Sequence, residues 1–262
     1  MELLSEGLER LCLGDATAAL LVKPRLAEIT GLLTGYMDEV ERFNPIYGLV
    51  KTDGSREMLI VKHILDSLAP LGHIARFLMF PGELPALSGK KAADAGSGAG
   101  LPGIPLAICL PQVQFTLIER MKRRAGFLRN VLAVLGYGKS GTSGTPGTSG
   151  ASGGLSRVTV EETELERASG GFDLVTFRAL SPLEPEFAAS LFRLLPADGG
   201  IIAAYKGRHS TAEAELKNLA PQGAPAERPC TTELIPLAVP FLDEERCLAV
   251  IASRGECRDG TE

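Results

Sequence analysis

The chain has 262 residues, 45% of them apolar, which is length enough for one large core with or without a small satellite. Thirty-two acidic side chains against 27 basic ones leave a formal charge of −5, so no overall positive field draws the protein to nucleic acid or to an anionic membrane. The 23% charged residues exclude wholesale disorder, while 30 glycines and 17 prolines point to a biased segment somewhere along the chain.

The opening MELLSEGLER is acidic where a secretory signal starts basic, and no run approaches the roughly 20 apolar residues that span a bilayer. Apolar positions then recur every three or four residues, at Leu26, Ile29, Leu32, Leu33, Tyr36, Met37 and Val40, and again at Ile60, Ile64, Leu65, Leu68 and Leu71. This spacing predicts a helical extension over residues 1–80. Asn44-Pro45 is read as the stop of its first long helix. On the later one His63 and Ser67 share a face, as do Lys62 and Asp66, which reads as a surface ion pair beside a half-buried histidine. The Pro- and Gly-rich stretch Phe80–Gly89 marks a change of architecture.

Residues 81–262 alternate. A strand at 91–95 leads through a glycine turn to a helix from about Pro102, a strand at Gln114–Glu119 and a helix over Met121–Leu135. Further strands are predicted at Val158–Val160, Leu174–Phe177 and Ile201–Tyr205, with helices at 183–195 and 211–220 between them. Strand, helix, strand, helix implies an α/β fold, a parallel sheet with helices on both faces. Two late apolar runs, Leu234–Val239 and Cys247–Ala252, predict an antiparallel hairpin on the sheet edge. Residues 138–154 hold seven glycines and no large apolar side chain, so they are expected to be a flexible insertion; glycine at every third position is too short a run, with too little proline, for a collagen helix.

Five cysteines, Cys12, Cys109, Cys230, Cys247 and Cys257, are scattered and odd in number, with no Cys-x-x-Cys pair and no histidine at ligand spacing. The expectation is reduced thiols in the cytoplasm, no metal site and no membrane association.

The informative stretch is Asp94-Ala95-Gly96-Ser97-Gly98-Ala99-Gly100-Leu101-Pro102-Gly103. A strand ending in a carboxylate and followed by Gly-x-Gly-x-Gly lets backbone approach a ligand closely, although a tight strand-to-helix turn needs the same residues. The next strand ends in Glu119, near the spacing at which nucleotide-type folds place an acid on ribose hydroxyls. Asp94 ahead of Gly96 crowds a pyrophosphate, so the loop suits a donor without phosphates. S-adenosylmethionine offers a ribose diol to Glu119 and a cationic amino-acid end to the Asp94 side, with Gly96 and Gly98 beneath it. Alternatively, Glu119 is a strand-end acid paired with Lys122 or Arg123.

DAGSGAGLPGIPLAI (94–108), FTLIERMKRRAGFL (115–128), VKHILDSLAPL (61–71), FDLVTFRAL (172–180) and AAYKG (203–207) resemble the bacterial 16S ribosomal RNA guanine-N7 methyltransferase family, RsmG or glucose-inhibited division protein B. The likeness runs from about Tyr36 to Arg254 and skips the glycine-rich insertion. It implies a Rossmann-like class I S-adenosylmethionine-dependent methyltransferase sheet with an N-terminal helical extension, and a guanine of 16S rRNA, free or in the small subunit, as acceptor. The donor contacts it implies fall on Gly96, Leu101, Glu119, Arg120, Met121 and Arg178, and on Thr163 and Glu164 unless a shift moves that pair to Glu161 and Glu162. Glu119 stands where Asp is more usual, Phe177 where serine is common, and Asn44-Pro45-Ile46-Tyr47 in place of an Asn-Leu-Thr pattern.

Other chemistries leave marks that can be searched for. The Asn/Asp-Pro-Pro-aromatic turn of amino-group methylation is replaced by Phe177-Arg178-Ala179-Leu180, and Asn44-Pro45-Ile46-Tyr47 lies ahead of the glycine loop. Pro229-Cys230 sits too late for a cytosine nucleophile. Ala133-x4-Gly138-Lys139-Ser140 follows a helix and opens a glycine-rich run, the wrong context for a phosphate-binding loop. No catalytic base stands out. Lys122, Arg123, Arg124 and Arg129, with Lys206 and Arg208 after the fifth strand, are candidate RNA contacts, the bland alternative being a solvated helix face. The rival functions are a methyltransferase of another substrate, which the basic cluster disfavours, and a non-catalytic donor-binding module. A monomer without DNA partners is expected.

Overall fold

A computed structural model of the chain describes residues 2–79, 87–136, 157–219 and 230–254. The predicted insertion at 138–154, the Gly138-Lys139-Ser140 run, Pro229 and Cys257 lie outside the described residues.

The N-terminal third is helical, as its apolar spacing requires. Helix α1 (Glu2–Gly14) and α2 (Ala16–Val22) are followed by the long α3 (Leu26–Tyr47). Asp15 caps α2 by accepting from the N–H groups of Thr17 and Ala18, and its carboxylate also holds Arg76 at 2.9 Å. Pro45 does not stop α3. It lies within the last turn, and the helix ends at Gly48, whose left-handed backbone (φ 57°) sends its N–H back to the carbonyl of Asn44. A second helical stretch comprises α4 (Arg56–Leu59), a π-turn over Ile60–Leu65 and α5 (Asp66–Leu68), with α6 (Leu71–Met79) following. The helical run Arg56–Met79 is long and apolar enough to cross a membrane, but 67% of its most apolar window is buried inside the molecule, as in a core helix.

The rest is one seven-stranded sheet. Strands β1 (Lys91–Ala95), β2 (Gln114–Ile118), β3 (Val158–Glu161), β4 (Leu174–Arg178), β5 (Gly199–Lys206), β6 (Cys230–Leu237) and β7 (Arg246–Arg254) lie in the order β3-β2-β1-β4-β5-β7-β6. The first five run parallel, and β7 is antiparallel between β5 and β6. The predicted edge hairpin is therefore present, with its second strand inserted against β5.

Side chains alternate between the two faces with the two-residue period of a strand. Ala92, Phe115, Leu117, Leu174, Ala203, Tyr205, Leu248 and Val250 join a core with α7 (Gly103–Cys109), α8 (Lys122–Gly136) and the N-terminal helices. Ala93, Ala95, Val175, Phe177, Ile202, Ala204 and Ile251 pack instead on α9 (Pro185–Leu194) and α10 (His209–Leu219). Burying both faces explains why the strands read as short, almost unbroken apolar runs. The N-terminal helices share a core with the sheet: Leu8, Leu33, Ile64 and Leu68 belong to the same cluster as Phe115 and Val250.

Strand order reverses between β1 and β4, since the chain leaves β1 toward β2 on one side and leaves β4 toward β5 on the other. The carboxyl ends of these two strands therefore diverge, opening the crevice where open α/β sheets bind ligands.

Candidate active site

The turn after β1 is built by its own backbone. The Ser97 N–H donates to the carbonyl of Ile118, the Ser97 hydroxyl donates to the carbonyl of Asp94 at 2.8 Å, and Gly100 and Leu101 donate back to Ser97. Gly96 has φ 67° and Gly98 φ 58°, a region that side chains with a Cβ enter at a cost of about 1–2 kcal/mol. Gly103 is required for space: a Cβ there would lie 2.5 Å from Leu117 and 2.7 Å from the Asp94 carboxylate. This close approach lets the Gly103 N–H donate to Asp94 Oδ2 at 3.1 Å. The buried Leu101 closes the turn.

Asp94 is fully buried, and its Oδ1 has no hydrogen-bond partner among the described residues. Burial pushes its carboxyl from 3.8 up to about 7, against the lowering effect of the Gly103 N–H, the Ser97 hydroxyl and the charge of Arg178. A buried acceptor without a donor is costly in a folded chain, and such an atom beneath a ligand loop fits a cationic or N–H-bearing ligand group.

Glu119 follows β2 and is 4% exposed. Its Oε2 accepts the Gly98 N–H at 2.9 Å and its Oε1 accepts the Met121 N–H at 2.8 Å. Neither Lys122 nor Arg123 pairs with it among the described residues, so the strand-end ion pair is not formed. Each oxygen keeps a second acceptor site, which is what a ribose diol needs.

One cleft gathers Gly96, Glu119, Arg120, Met121, Arg124 and Thr163, together with Ile118, Leu165 and Leu180. Five sequence-predicted donor contacts and one predicted RNA contact thus share a wall. Glu164 is exposed ahead of the short turn Leu165–Arg167 and is not among these lining residues. The alternative acids are engaged elsewhere: Glu161 holds Ser169, and Glu162 pairs with Arg129 at 2.6 Å. That leaves Arg129 spoken for as well.

Arg178, at the end of β4, turns toward the N-terminal helices. Its Nη1 donates to Asp66 Oδ2 at 2.8 Å and to the carbonyl of Lys62 at 3.2 Å, and its Nη2 lies 3.2 Å from His63 Nδ1. The expected Lys62–Asp66 pair is absent. Asp66 binds Arg178 and Arg246, while Lys62 binds Glu244 at 2.6 Å. The reason is the π-turn, whose wider coil takes the two side chains off the shared face of a regular helix.

Of the basic candidates, Lys122, Arg123 and Arg208 are exposed, and Arg124 is half-buried at the cleft; none has an ion-pair partner among the described residues. Lys206 does not face outward. Its ammonium binds Glu215 at 2.6 Å with 12% of the side chain exposed, because β5 delivers it beside α10 rather than to the cleft.

Two residues were missed by sequence reasoning. Leu180 is 42% exposed, and its methyls lie over Gly96, carried there by Ala179 in a left-handed conformation (φ 52°). Tyr36, buried in α3, donates its hydroxyl to the carbonyl of Ala99 at 2.9 Å and so props the glycine turn from the helical extension. Leu180 has a signal, its place just past β4, but only once β4 is known to border the crevice; Tyr36 looks like any apolar-face aromatic.

A seven-stranded sheet of this order, with a glycine turn and two acids at its reversal point, defines a class I S-adenosylmethionine-dependent methyltransferase fold. The model of the family described as rRNA small subunit methyltransferase G matches residues 30–139. A protein named ribosomal RNA small subunit methyltransferase G from Treponema pallidum (strain Nichols) is 36% identical over 254 residues, covering 95% of this chain and 92% of its own. One of the same name from Laribacter hongkongensis is 33% identical over 85% of this chain and 88% of its own. The chain belongs to the rRNA small subunit methyltransferase G family. Among solved structures, a putative O-methyltransferase from Klebsiella pneumoniae aligns with a TM-score of 0.48 at 15% identity, over 84% of this chain and 90% of that one.

Proposed function

We propose that this protein transfers a methyl group from S-adenosylmethionine to N7 of a guanine in 16S ribosomal RNA. The observation that carries the reading is the joining of Gly98 to Glu119 at the strand-order reversal, in a chain of this family. Asp94, Gly96, Gly98, Leu101, Glu119, Arg120, Met121, Thr163, Glu164 and Arg178 would hold the donor, with the orphan oxygen of Asp94 and the outward lone pairs of Glu119 as its polar anchors. Bound there, the donor supplies a methyl group on a positively charged sulfur, open to in-line displacement.

The chain's own part is positional. Guanine N7 carries a lone pair and no proton, so no base has to be supplied, and catalysis rests on holding the acceptor in line and shaping the field. Lys122, Arg123, Arg124 and Arg208 would meet RNA phosphates beside the cleft. The protein would act as a monomer in the cytoplasm, without membrane or DNA partners, its helical extension 1–80 serving the methyltransferase domain 81–262.

The test is mass mapping of 16S rRNA, free and in small subunits, after incubation with labelled S-adenosylmethionine, repeated with 7-deazaguanine at the mapped position. One labelled guanine and none with the analogue is the expected result, because N7 is the atom the analogue lacks. Transfer to the analogue would exclude N7.

A further inference from the structure

The clamp around Arg178 is more elaborate than a salt bridge requires. Within the π-turn, the Asp66 N–H is shared between the carbonyls of His63 and Val61 and bypasses that of Lys62, which accepts from Arg178 Nη1 instead. Asp66, with 8% of its side chain exposed, takes the same Nη1 on Oδ2 and Arg246 on Oδ1 at 3.1 Å. His63 closes the third side. A guanidinium only donates, so His63 Nδ1 must accept. The single proton of the neutral ring therefore sits on Nε2, which donates to the carbonyl of Lys51 at 2.9 Å. Of Arg178's five N–H groups, Nε–H and one on Nη2 have no partner among the described residues, and they belong to a side chain at the end of β4, beside the crevice.

We propose that His63 is a positioning residue: in its neutral Nε2–H form it aims the free N–H groups of Arg178 at the donor, and its protonation releases Arg178 and weakens donor binding. The inference rests on the reading of Arg178 as a donor contact. Protonation would turn an N–H on Nδ1 against an N–H of Arg178, setting two donors and two cations face to face. The charged groups around the ring are Arg178 from β4, Asp66 and Lys62 on its own stretch, and Lys51 from the segment after α3. Behind these stand Arg246 from β7 and Glu244, which binds both Lys62 and Arg246. Asp66 favours the charged ring, but its two oxygens are already given to two arginines. Burial and the neighbouring cations hold the imidazole below its ordinary value, against the Lys51 carbonyl and Asp66. The neutral form thus persists into mild acid, and the release is expected only on the acid side of an ordinary histidine's range.

The first measurement is nitrogen NMR of the imidazole in the ligand-free protein. It should show a bare Nδ1 and a protonated Nε2, and a proton on Nδ1 at neutral pH would overturn the proposal. The second is S-adenosylmethionine affinity by calorimetry at about pH 7.5 and about pH 5.5. Asp94, which titrates near 7 beneath the donor loop, gives both proteins a common acid loss. Beyond it the wild type should lose at least about a further twofold at the lower pH, while His63→Asn, whose amide oxygen replaces Nδ1 as an acceptor that does not titrate, should show only the common loss and bind within about threefold of the wild type at the higher pH. An equal acid loss in His63→Asn, or none in the wild type, would sink His63's part. Arg178→Ala binding as tightly as the wild type would sink it differently, by removing Arg178 from the donor site while the NMR pattern of the native protein stands.

Discussion

The Glu119 carboxylate holds the backbone N–H of Gly98 at 2.9 Å, so one side chain ties the end of β2 to the turn after β1. Its second oxygen holds Met121 at 2.8 Å. Glu119→Ala strands both N–H groups and removes the acceptor proposed for the ribose. Thermal unfolding should show a loss of about 1–3 kcal/mol, and calorimetry a donor affinity weaker by a similar amount. A lowered melting temperature with unchanged donor affinity would make Glu119 a structural tie alone.

Asp94 makes stability depend on pH in an unusual direction for a carboxylate. Its folded value lies near 7, raised by burial from 3.8. The favourable contribution is complete below the unfolded value and is lost as pH rises through about 7. Asp94→Asn keeps an acceptor for the Gly103 N–H and cannot ionise. At about pH 8 it should be more stable than the wild type by about 1–3 kcal/mol, with donor affinity reduced. Denaturant melts across this range check it, and a wild type whose stability does not fall as the pH rises, relative to Asp94→Asn, would show that Asp94 ionises elsewhere.

Gly96→Ala meets two obstacles of different kinds. Its backbone has φ 67°, and its new Cβ would lie 2.5 Å from a Leu180 methyl. The backbone cost, about 1–2 kcal/mol, stays whatever surrounds it, whereas the crowding yields when Leu180 moves. In a double-mutant cycle, adding Leu180→Ala should recover the crowding part of the stability loss and leave the backbone part. Full recovery would mean that the left-handed turn costs nothing here.

The basic residues divide by their partners. Lys122→Gln with Arg123→Gln should leave the unfolding free energy within about 0.5 kcal/mol of the wild type and flatten the salt dependence of RNA binding, by about 0.7–0.9 log units per lost phosphate contact. Lys206→Met should instead destabilise the fold by about 1–3 kcal/mol, because it leaves the half-buried Glu215 without its cation, holding only the Leu183 N–H. An RNA-specific defect in Lys206→Met with normal melting would return that lysine to the interface.

Much of this molecule is determined locally. The periodicities of Leu26–Val40 and of the short apolar strands follow from which faces must be dry, and every predicted strand and helix from residue 91 to 136 and from 158 to 219 is found within a few residues of its expected place. The glycine turn and Glu119 were equally legible, since left-handed backbone and a strand-end acid each demand particular residue types. What tertiary structure alone decided is which charges meet. Asp66 chose Arg178 and Arg246 over Lys62, and Lys206 chose Glu215 over solvent, because a π-turn and a strand register set directions that residue spacing does not encode. Tyr36 reaches Ala99 across 63 residues for the same reason: a side chain's partner depends on which surfaces pack together, and that is fixed only when the helical extension and the sheet close over a common core.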